Sequence, residues 1–199
     1  MTAQAALLSR TVFWQPAEAA GFEHLKLRAA DGGYIAAGIV MGLDRGTPFR
    51  LHYKIKCDDA WSARKIILEC HTPDGEAIRT LRSNGRGRWR DGLGVELPAL
   101  AGCLDVDISA TPFTNTLPIR RVKLRPGHGA TIKVVYINVP GLEIQPAEQR
   151  YTCIDHSARG GLFGYESVDM HGGFKATLAT DLDGLVVDYP GLFKRVYPK

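Results

Sequence analysis

The sequence predicts an all-β fold built mainly from long antiparallel strands, and three observations support this class. Several stretches alternate between apolar and polar residues, as half-buried strands do. Turn-forming sequences such as Asp31-Gly32-Gly33 and Asp183-Gly184 separate these stretches. No segment of ordinary helix length has a helical hydrophobic period. We therefore expect a curved sheet, a half-barrel or a barrel.

The strands of the first half are recognised by their alternation. We predict them at residues 22–28, 33–41, 49–56, 64–71 and 76–82. The clearest alternation runs over residues 49–56, where every second residue from Phe49 to Ile55 is apolar and the residues between them are basic. Such a strand buries one face and exposes the other.

The second half adds further strands, predicted at residues 103–109, 119–125, 131–139, 149–155, 162–168, 173–180 and 184–189. In the first of these, Asp105 and Asp107 lie opposite three aliphatic residues. Residues 131–139 are apolar on both faces and rich in β-branched side chains, which favours a central position in the sheet.

The chain is predicted to form a single β domain over residues 1–199, with a faint internal repeat. His24–Arg28 resembles Arg121–Arg125, and other pairs of segments are similar at related spacings. Two duplicated halves, roughly 20–92 and 103–190, would explain the similarity. Chance similarity between alternating strands would explain it as well, and both interpretations stay open.

Composition limits the classes of function. Hydrophobic residues make up 45% and charged residues 23% of the chain, which is typical of a globular protein. The net charge of +4 is too small to predict a nucleic-acid partner. We find no secretory signal and no apolar run long enough to cross a bilayer, so a cytoplasmic protein without a transmembrane segment is expected.

The cysteines are spread along the chain and form no close-spaced pair. Their positions are Cys57, Cys70, Cys103 and Cys153. Buried thiols are the simplest interpretation, so we predict no metal and no cofactor. A zinc site that uses the neighbouring histidines His71 and His156 is the alternative, because thiolate and imidazole are the usual zinc ligands.

Residues 111–121, with the sequence TPFTNTLPIRR, have no strand period and contain two prolines. Thr114 and Asn115 could bond their own backbone or a ligand. A strand that begins near residue 119 would place Arg120 and Arg121 on opposite faces, so that one of them faces inward. An inward guanidinium needs an anionic partner, either an aspartate of residues 103–109 or the head group of a ligand.

Two other features could contribute to a site. Trp89 lies in a glycine-bearing basic loop and could stack on a sugar or base, or it could pack against the core. Asp105 and Asp107 could act as a carboxylate pair in glycoside hydrolysis, or could form ion pairs with Arg121 and its neighbours. Glu166 is a further acidic residue, expected at the surface.

Several stretches together resemble the putative glycolipid-binding family of bacterial proteins. They are RSNGRGRWRDG (82–92), GCLDVDIS (102–109), TPFTNTLPIRR (111–121), YINVP (136–140), QRYTC (149–153) and DGLVVDYPGLFKRV (183–196). The similarity extends from about Trp14 to Val196. The resemblance implies binding of a glycolipid and no established catalytic residue.

The resemblance and the predicted fold together suggest an amphiphile-binding protein. An apolar concave face would hold an acyl chain. The polar head would then meet Trp89, Thr114, Asn115, Arg120 and Arg121, which are our predicted ligand-binding residues. We predict non-enzymatic binding of a glycolipid or another amphiphile. The alternatives are a hydrolase or isomerase acting on a carbohydrate or lipid, and a protein-interaction module that needs no ligand.

Overall fold

The computed structural model describes residues 8–199, apart from the side chain of His171. Strands account for 61% of the chain and helices for 8%, which confirms the all-β fold. The strands of the first half are β1 Ser9–Pro16, β2 Gly21–Ala30, β3 Gly33–Asp44, β4 Thr47–Cys57, β5 Ala63–Thr72, β6 Gly75–Ser83 and β7 Trp89–Asp91. Those of the second half are β8 Asp105–Ile108, β9 Gly129–Asn138, β10 Glu143–Ser157, β11 Gly160–Ser167, β12 Lys175–Thr180, β13 Val186–Tyr189 and β14 Phe193–Tyr197.

All fourteen strands form one open sheet, in the order β7-β6-β5-β4-β3-β2-β1-β14-β13-β12-β11-β10-β9-β8. Each half of the chain contributes seven neighbouring strands, and the antiparallel pair of β1 with β14 joins the two halves. Within residues 8–199, only β8 and β9 pair in parallel. The sheet does not close on itself, and β7 and β8 are its edges.

Strand β4 shows how the alternating sequence directs one face inward. Leu51, Tyr53 and Ile55 are buried, while Lys54 and Lys56 between and beyond them are exposed. Tyr53 lies opposite Gly38 of β3, where an added Cβ would come within 2.2 Å of the tyrosine ring. Glycine at this position therefore lets the ring lie flat on the neighbouring strand.

The buried side chains form one large hydrophobic cluster, which combines the first half with β8, β9 and Leu185 of the second half, and two smaller clusters within the second half. The segment that follows β8 connects the larger two. It consists of a 3₁₀ helix, Pro112–Asn115, and an α-helix, α1, Thr116–Val122. Phe113 and Leu117 pack in the first cluster, and Ile119 packs in the second.

The predicted strand at residues 119–125 is wrong, because residues up to Val122 belong to α1. Phe113, Leu117 and Arg121 are four residues apart, so a helical turn places all three on one face. Pro118 is tolerated because it lies in the first turn, where its missing N–H would have no helical partner. Lys123 adopts a left-handed conformation with φ of 52° and ends the helix.

Strand β8 is covered on both faces, unlike the half-exposed strand that its alternation predicts. Val106 and Ile108 are buried, and so is Asp105 on the opposite side, with a relative exposure of 0%. Segment 112–122 covers the aspartate side. The predicted ion pair between Asp105 and Arg121 exists, but it connects a strand to a helix in the interior.

None of the helices within residues 8–199 is long and apolar enough to cross a membrane.

Candidate functional site

A cavity of about 300 Å³ lies between segment 112–122 and strands of the second half. We call it the tyrosine cavity, because Tyr136, Tyr165 and Tyr189 contribute to its wall. Its other lining residues are Asp107, Ile108, Ser109, Thr111, Asn115, Phe174, Leu192 and Phe193. It is a concave site whose walls are aromatic and aliphatic, with four further polar residues, and this is the usual composition of a small-molecule site.

The aromatic rings of the cavity support one another. The ring centroid of Tyr165 lies 6.0 Å from that of Tyr189 and 6.3 Å from that of Phe174. Tyr151, behind them, lies 5.4 Å from Tyr165 in an edge-to-face arrangement. These distances are in the range where aromatic pairs attract, so the cavity wall is held in place before any ligand arrives.

A chain of hydrogen bonds fixes the polar end of the cavity. Asp107 accepts hydrogen bonds from the Thr114 hydroxyl at 3.0 Å and from the Gln149 amide at 2.5 Å. Tyr151 donates its hydroxyl proton to Asn115 Oδ1 at 2.8 Å. Asp107 and Asn115 therefore have fixed orientations, and both line the cavity.

Burial keeps the tyrosine hydroxyls protonated. It raises the pKa of Tyr165 and Tyr189 above the ordinary value, and the nearby negative charge of Asp107 raises it further. Tyr136 is shifted in the same direction by the same two causes. A protonated phenol can donate a hydrogen bond, so Tyr165 and Tyr189 offer donors to a ligand in the cavity.

A groove of about 410 Å³ adjoins the tyrosine cavity, and its lining is mainly apolar, with Glu18, Asp44 and Asn138 among its polar residues. Three residues line both spaces: Ser109, Leu192 and Phe193. Beyond them the groove passes Val40 and Phe49 of the first half. The groove thus lies beside the tyrosine cavity and reaches across the boundary between the two halves of the sheet.

A third space, of about 490 Å³, opens at the C-terminal end of α1, and we call it the basic cavity. Its basic lining residues are Arg120, Lys123, Arg125 and His156. Phe163 and Tyr165 lie two residues apart on β11, and they line the basic cavity and the tyrosine cavity respectively. Both spaces therefore lie on the same face of the sheet.

The structure separates the predicted ligand-binding residues. Asn115 lines the tyrosine cavity, and Thr114 lies behind its wall as a partner of Asp107. Arg120 lines the basic cavity instead. Trp89 is 2% exposed and donates its indole N–H to the Cys103 carbonyl at 2.8 Å, which matches the alternative that it packs against the core.

Arg121 is the inward-facing arginine that the sequence predicts. Its Nη2 lies 2.6 Å from Asp105 Oδ2, and its Nε donates to the same carboxylate. Burial raises the pKa of Asp105, and the bonds and charge of Arg121 oppose that shift. Both groups are thereby satisfied within the protein, and neither lines the tyrosine cavity.

The acidic residues considered for catalysis are also separated. Asp105 is occupied by Arg121, whereas Asp107 faces the tyrosine cavity. Glu166 pairs with Lys175 on the neighbouring strand at 2.9 Å. Asp107 is therefore the one candidate acid that a ligand in the tyrosine cavity would meet.

The four cysteines are all free and buried, as the thiol interpretation predicts. Burial raises the pKa of Cys103 to about 11, so this thiol stays protonated and unreactive near neutral pH.

On the sheet, Glu69, His71 and Glu76 bring their ligand atoms within 4.8 Å of one another. His71 Nε2 lies 2.6 Å from Glu69 Oε1, within hydrogen-bond distance.

Sequence reasoning missed the tyrosines of the cavity. They are four of the seven tyrosines in the chain, if Tyr151 is included, and all occupy inward positions on strands of the second half. A buried tyrosine usually needs a partner for its hydroxyl. The several tyrosines at inward strand positions of the second half could therefore have predicted a polar interior there.

The fold and its concave surfaces define a class of open, mostly antiparallel β-sheet proteins with an aromatic internal cavity. Within this class, a family model described as "putative glycolipid-binding" matches residues 11–195, and the chain belongs to that family. A crystal structure of a DUF1089 family protein from Pseudomonas aeruginosa is similar, with 38% sequence identity and a TM-score of 0.81 over 92% of this chain and 95% of that chain. No curated protein matches the chain.

Proposed function

We propose that this protein binds a glycolipid or a similar amphiphile without changing it chemically. The observation that carries the proposal is that two unlike spaces adjoin each other. The tyrosine cavity offers hydroxyl donors and carboxylate acceptors, and the adjoining groove is mainly apolar. Leu192 and Phe193 line both, so one ligand could place its polar head in the cavity and its tail in the groove.

The cavity suits an uncharged, hydroxyl-rich head group. Asp107 and Asn115 supply oxygen acceptors, while the tyrosines supply donors and flat apolar faces. No lysine or arginine belongs to its described lining, so a phosphate head would lack a counter-charge. A sugar ring has both hydroxyl groups and apolar C–H faces and therefore fits this combination.

The groove suits a hydrocarbon tail. Leu192 is 39% exposed, and its neighbours in the groove include Val40, Phe49, Ala110 and Val139. Covering apolar surface of this kind stabilises a complex by about 25 cal/mol per Å². The family membership agrees with this assignment, because the family is described as putative glycolipid-binding.

One carboxylate, rather than a pair, lines the tyrosine cavity in the described part of the chain. Glycoside hydrolysis ordinarily uses two carboxyl groups on either side of the scissile bond. This difference favours binding over hydrolysis as the function of the cavity. In this proposal Thr114 orients Asp107, and Asn115 contacts the polar head group of the ligand directly.

The first test is the mass spectrum of an organic extract from protein purified without detergent, together with a native mass spectrum. We expect a co-purified amphiphile in a one-to-one complex, with a neutral glycosyl head and an aliphatic tail. For a quantitative assay, the probe is n-octyl glucoside below its micelle concentration, titrated by calorimetry. An empty extract together with no heat of binding would contradict the proposal.

Leu192→Glu is expected to weaken octyl glucoside binding about tenfold or more, because the tail would have to cover a carboxylate. Leu93→Glu is the matched control, since Leu93 is 91% exposed and outside these cavities. Equal losses in both variants would show that the groove is not the binding surface.

Asp107→Asn is expected to weaken the same binding about tenfold, because hydrogen bonds to a charged acceptor are stronger than those to an amide. Free glucose should show the same proportional loss at a lower affinity. Unchanged binding of both probes would remove Asp107 from the site, while the melting temperature of the variant reports whether it folds.

A further inference from the structure

The basic cavity contains more positive charge than the protein neutralises. Arg120, Lys123, Arg125 and His156 line it, and Asp181 is its one acidic lining residue among those described. Asp181 is already engaged: it forms an ion pair with Arg195 and accepts hydrogen bonds from two backbone N–H groups. Its charge is therefore not available to the four basic residues.

Three of these basic side chains have no partner in the part of the chain that the structure describes. Lys123 and Arg125 make no side-chain hydrogen bond or ion pair there, and neither does the His156 ring. Other exposed basic residues of the chain lack an ion pair too, but these three lie together with Arg120 around one concave space. Positive charges gathered around a concave space repel one another, and an anion bound between Arg120, Lys123 and Arg125 would relieve this repulsion.

Arg120 is held in place at the wall of this cavity. Its guanidinium carbon lies 5.1 Å from the centre of the Trp61 ring, and its Nη1 donates to the Leu182 carbonyl at 3.4 Å. Its aliphatic stem packs on Gly184, where an added Cβ would come within 3.1 Å of Arg120 Cδ. A guanidinium has five N–H donors, so most remain for a ligand.

The remaining wall is apolar, with Ile119, Leu124 and Phe163 as its main contributors. A volume of about 490 Å³ accommodates a small organic molecule as well as an anionic group. The cations form one cluster in a cavity rather than a stripe along the surface, which disfavours a nucleic-acid backbone as the ligand.

We propose that the basic cavity is a second binding site, separate from the tyrosine cavity, for a molecule that carries a phosphate monoester or pyrophosphate group. Arg120 offers a planar pair of donors to the phosphate oxygens, and Lys123 and Arg125 supply further charge. The apolar wall contacts the organic part of the ligand. This proposal does not depend on the amphiphile site.

The test is calorimetric titration of the full chain with inorganic pyrophosphate. The double variant Lys123→Met/Arg125→Met is expected to bind about tenfold more weakly for each cation removed. Lys54→Met/Lys56→Met is the matched control, because it removes the same charge from exposed positions on β4. The control should retain wild-type affinity within about threefold, and both variants should retain octyl glucoside binding.

A second arm identifies the source of the phosphate. Phosphatidylcholine vesicles with and without phosphatidic acid are sedimented with each variant. If phosphatidic acid retains the wild type but not the double variant, the phosphate belongs to a lipid head. If pyrophosphate binds and the vesicles do not retain the protein, the ligand is a soluble phosphate ester. The proposal is overturned if neither probe binds, or if the control variant loses as much affinity as the double variant.

Discussion

Arg121→Met is expected to lower the free energy of unfolding by about 3–5 kcal/mol, because it leaves a buried carboxylate without its counter-charge. Asp105 is 0% exposed at its side chain and Arg121 is 17% exposed, so water can replace little of the lost interaction. Urea unfolding, followed by tryptophan fluorescence, measures this change. The difference in the free energy of unfolding between wild type and variant should become smaller as the pH falls, because protonated Asp105 no longer needs the guanidinium.

Two further variants test this explanation. Arg10→Met breaks an ion pair with Asp183 whose side chains are 44% and 24% exposed, and its cost should stay within about 1 kcal/mol. Asp105→Leu combined with Arg121→Met removes both charges and should recover most of the stability lost in the single variant. If Arg121→Met lowers the free energy of unfolding no more than Arg10→Met does, the Asp105–Arg121 pair does not act as a buried ion pair.

Raising the pH from about 5 to about 8 is expected to destabilise the protein by about 1.4 kcal/mol per pH unit through Glu23 alone. Burial raises the pKa of Glu23 to about 8, although hydrogen bonds from Tyr53 and Thr111 act against this shift. The folded state thus keeps a proton that the unfolded state loses above its ordinary pKa of 4.5. This contribution is fully present below that ordinary value and is lost as the pH rises through the folded value.

The geometry around Glu23 supports the protonated form. Glu23 Oε1 accepts the Tyr53 hydroxyl at 2.5 Å and the Thr111 hydroxyl at 2.8 Å. Its Oε2 is buried with no hydrogen-bond partner among the described residues, and no cation pairs with this carboxyl group there. A neutral acid is far less costly than a carboxylate at such a position.

Glu23→Gln imitates the neutral acid, so its stability relative to the wild type should rise steadily with pH over this range. Glu18→Gln changes an exposed residue in the same way and serves as the control. Taking the difference between variant and wild type at each pH removes the contributions of the other titrating groups. A constant difference across the range would show that Glu23 is ionised in the folded protein.

Most strands could be predicted from the sequence because alternation reports burial directly, but β1, β7 and β14 lie outside the predicted ranges. Strand β4 follows its pattern, and the apolar residues 131–139 become β9, which lies inside the sheet between β8 and β10. The duplication of the two halves stays a prediction. Strand order could not be predicted, because alternation specifies which face of a strand is buried and not which strand lies beside it.

The candidate site was harder to predict because its parts come from distant segments. Residues 116–122 form a helix of seven residues, which is too short to establish a clear hydrophobic period. Pro118 favours an extended conformation for Leu117, but burial of Leu117 and the bond of Arg121 to Asp105 outweigh that local preference. Five residues correspond to about 140° around a helix, so Asn115 and Arg120 point in different directions and line different cavities.

The pairing of β1 with β14 has a consequence for the order of folding. The first and last strands meet in the middle of the sheet, so this ladder closes the longest loop in the chain, and such closure is entropically slow. Strands β1–β7 and strands β9–β14 can each pair with their neighbours along the chain, but β1 presents an unpaired edge until β14 has been synthesised. A nascent chain therefore carries a temporary site for strand addition at the place where the finished protein joins its two halves.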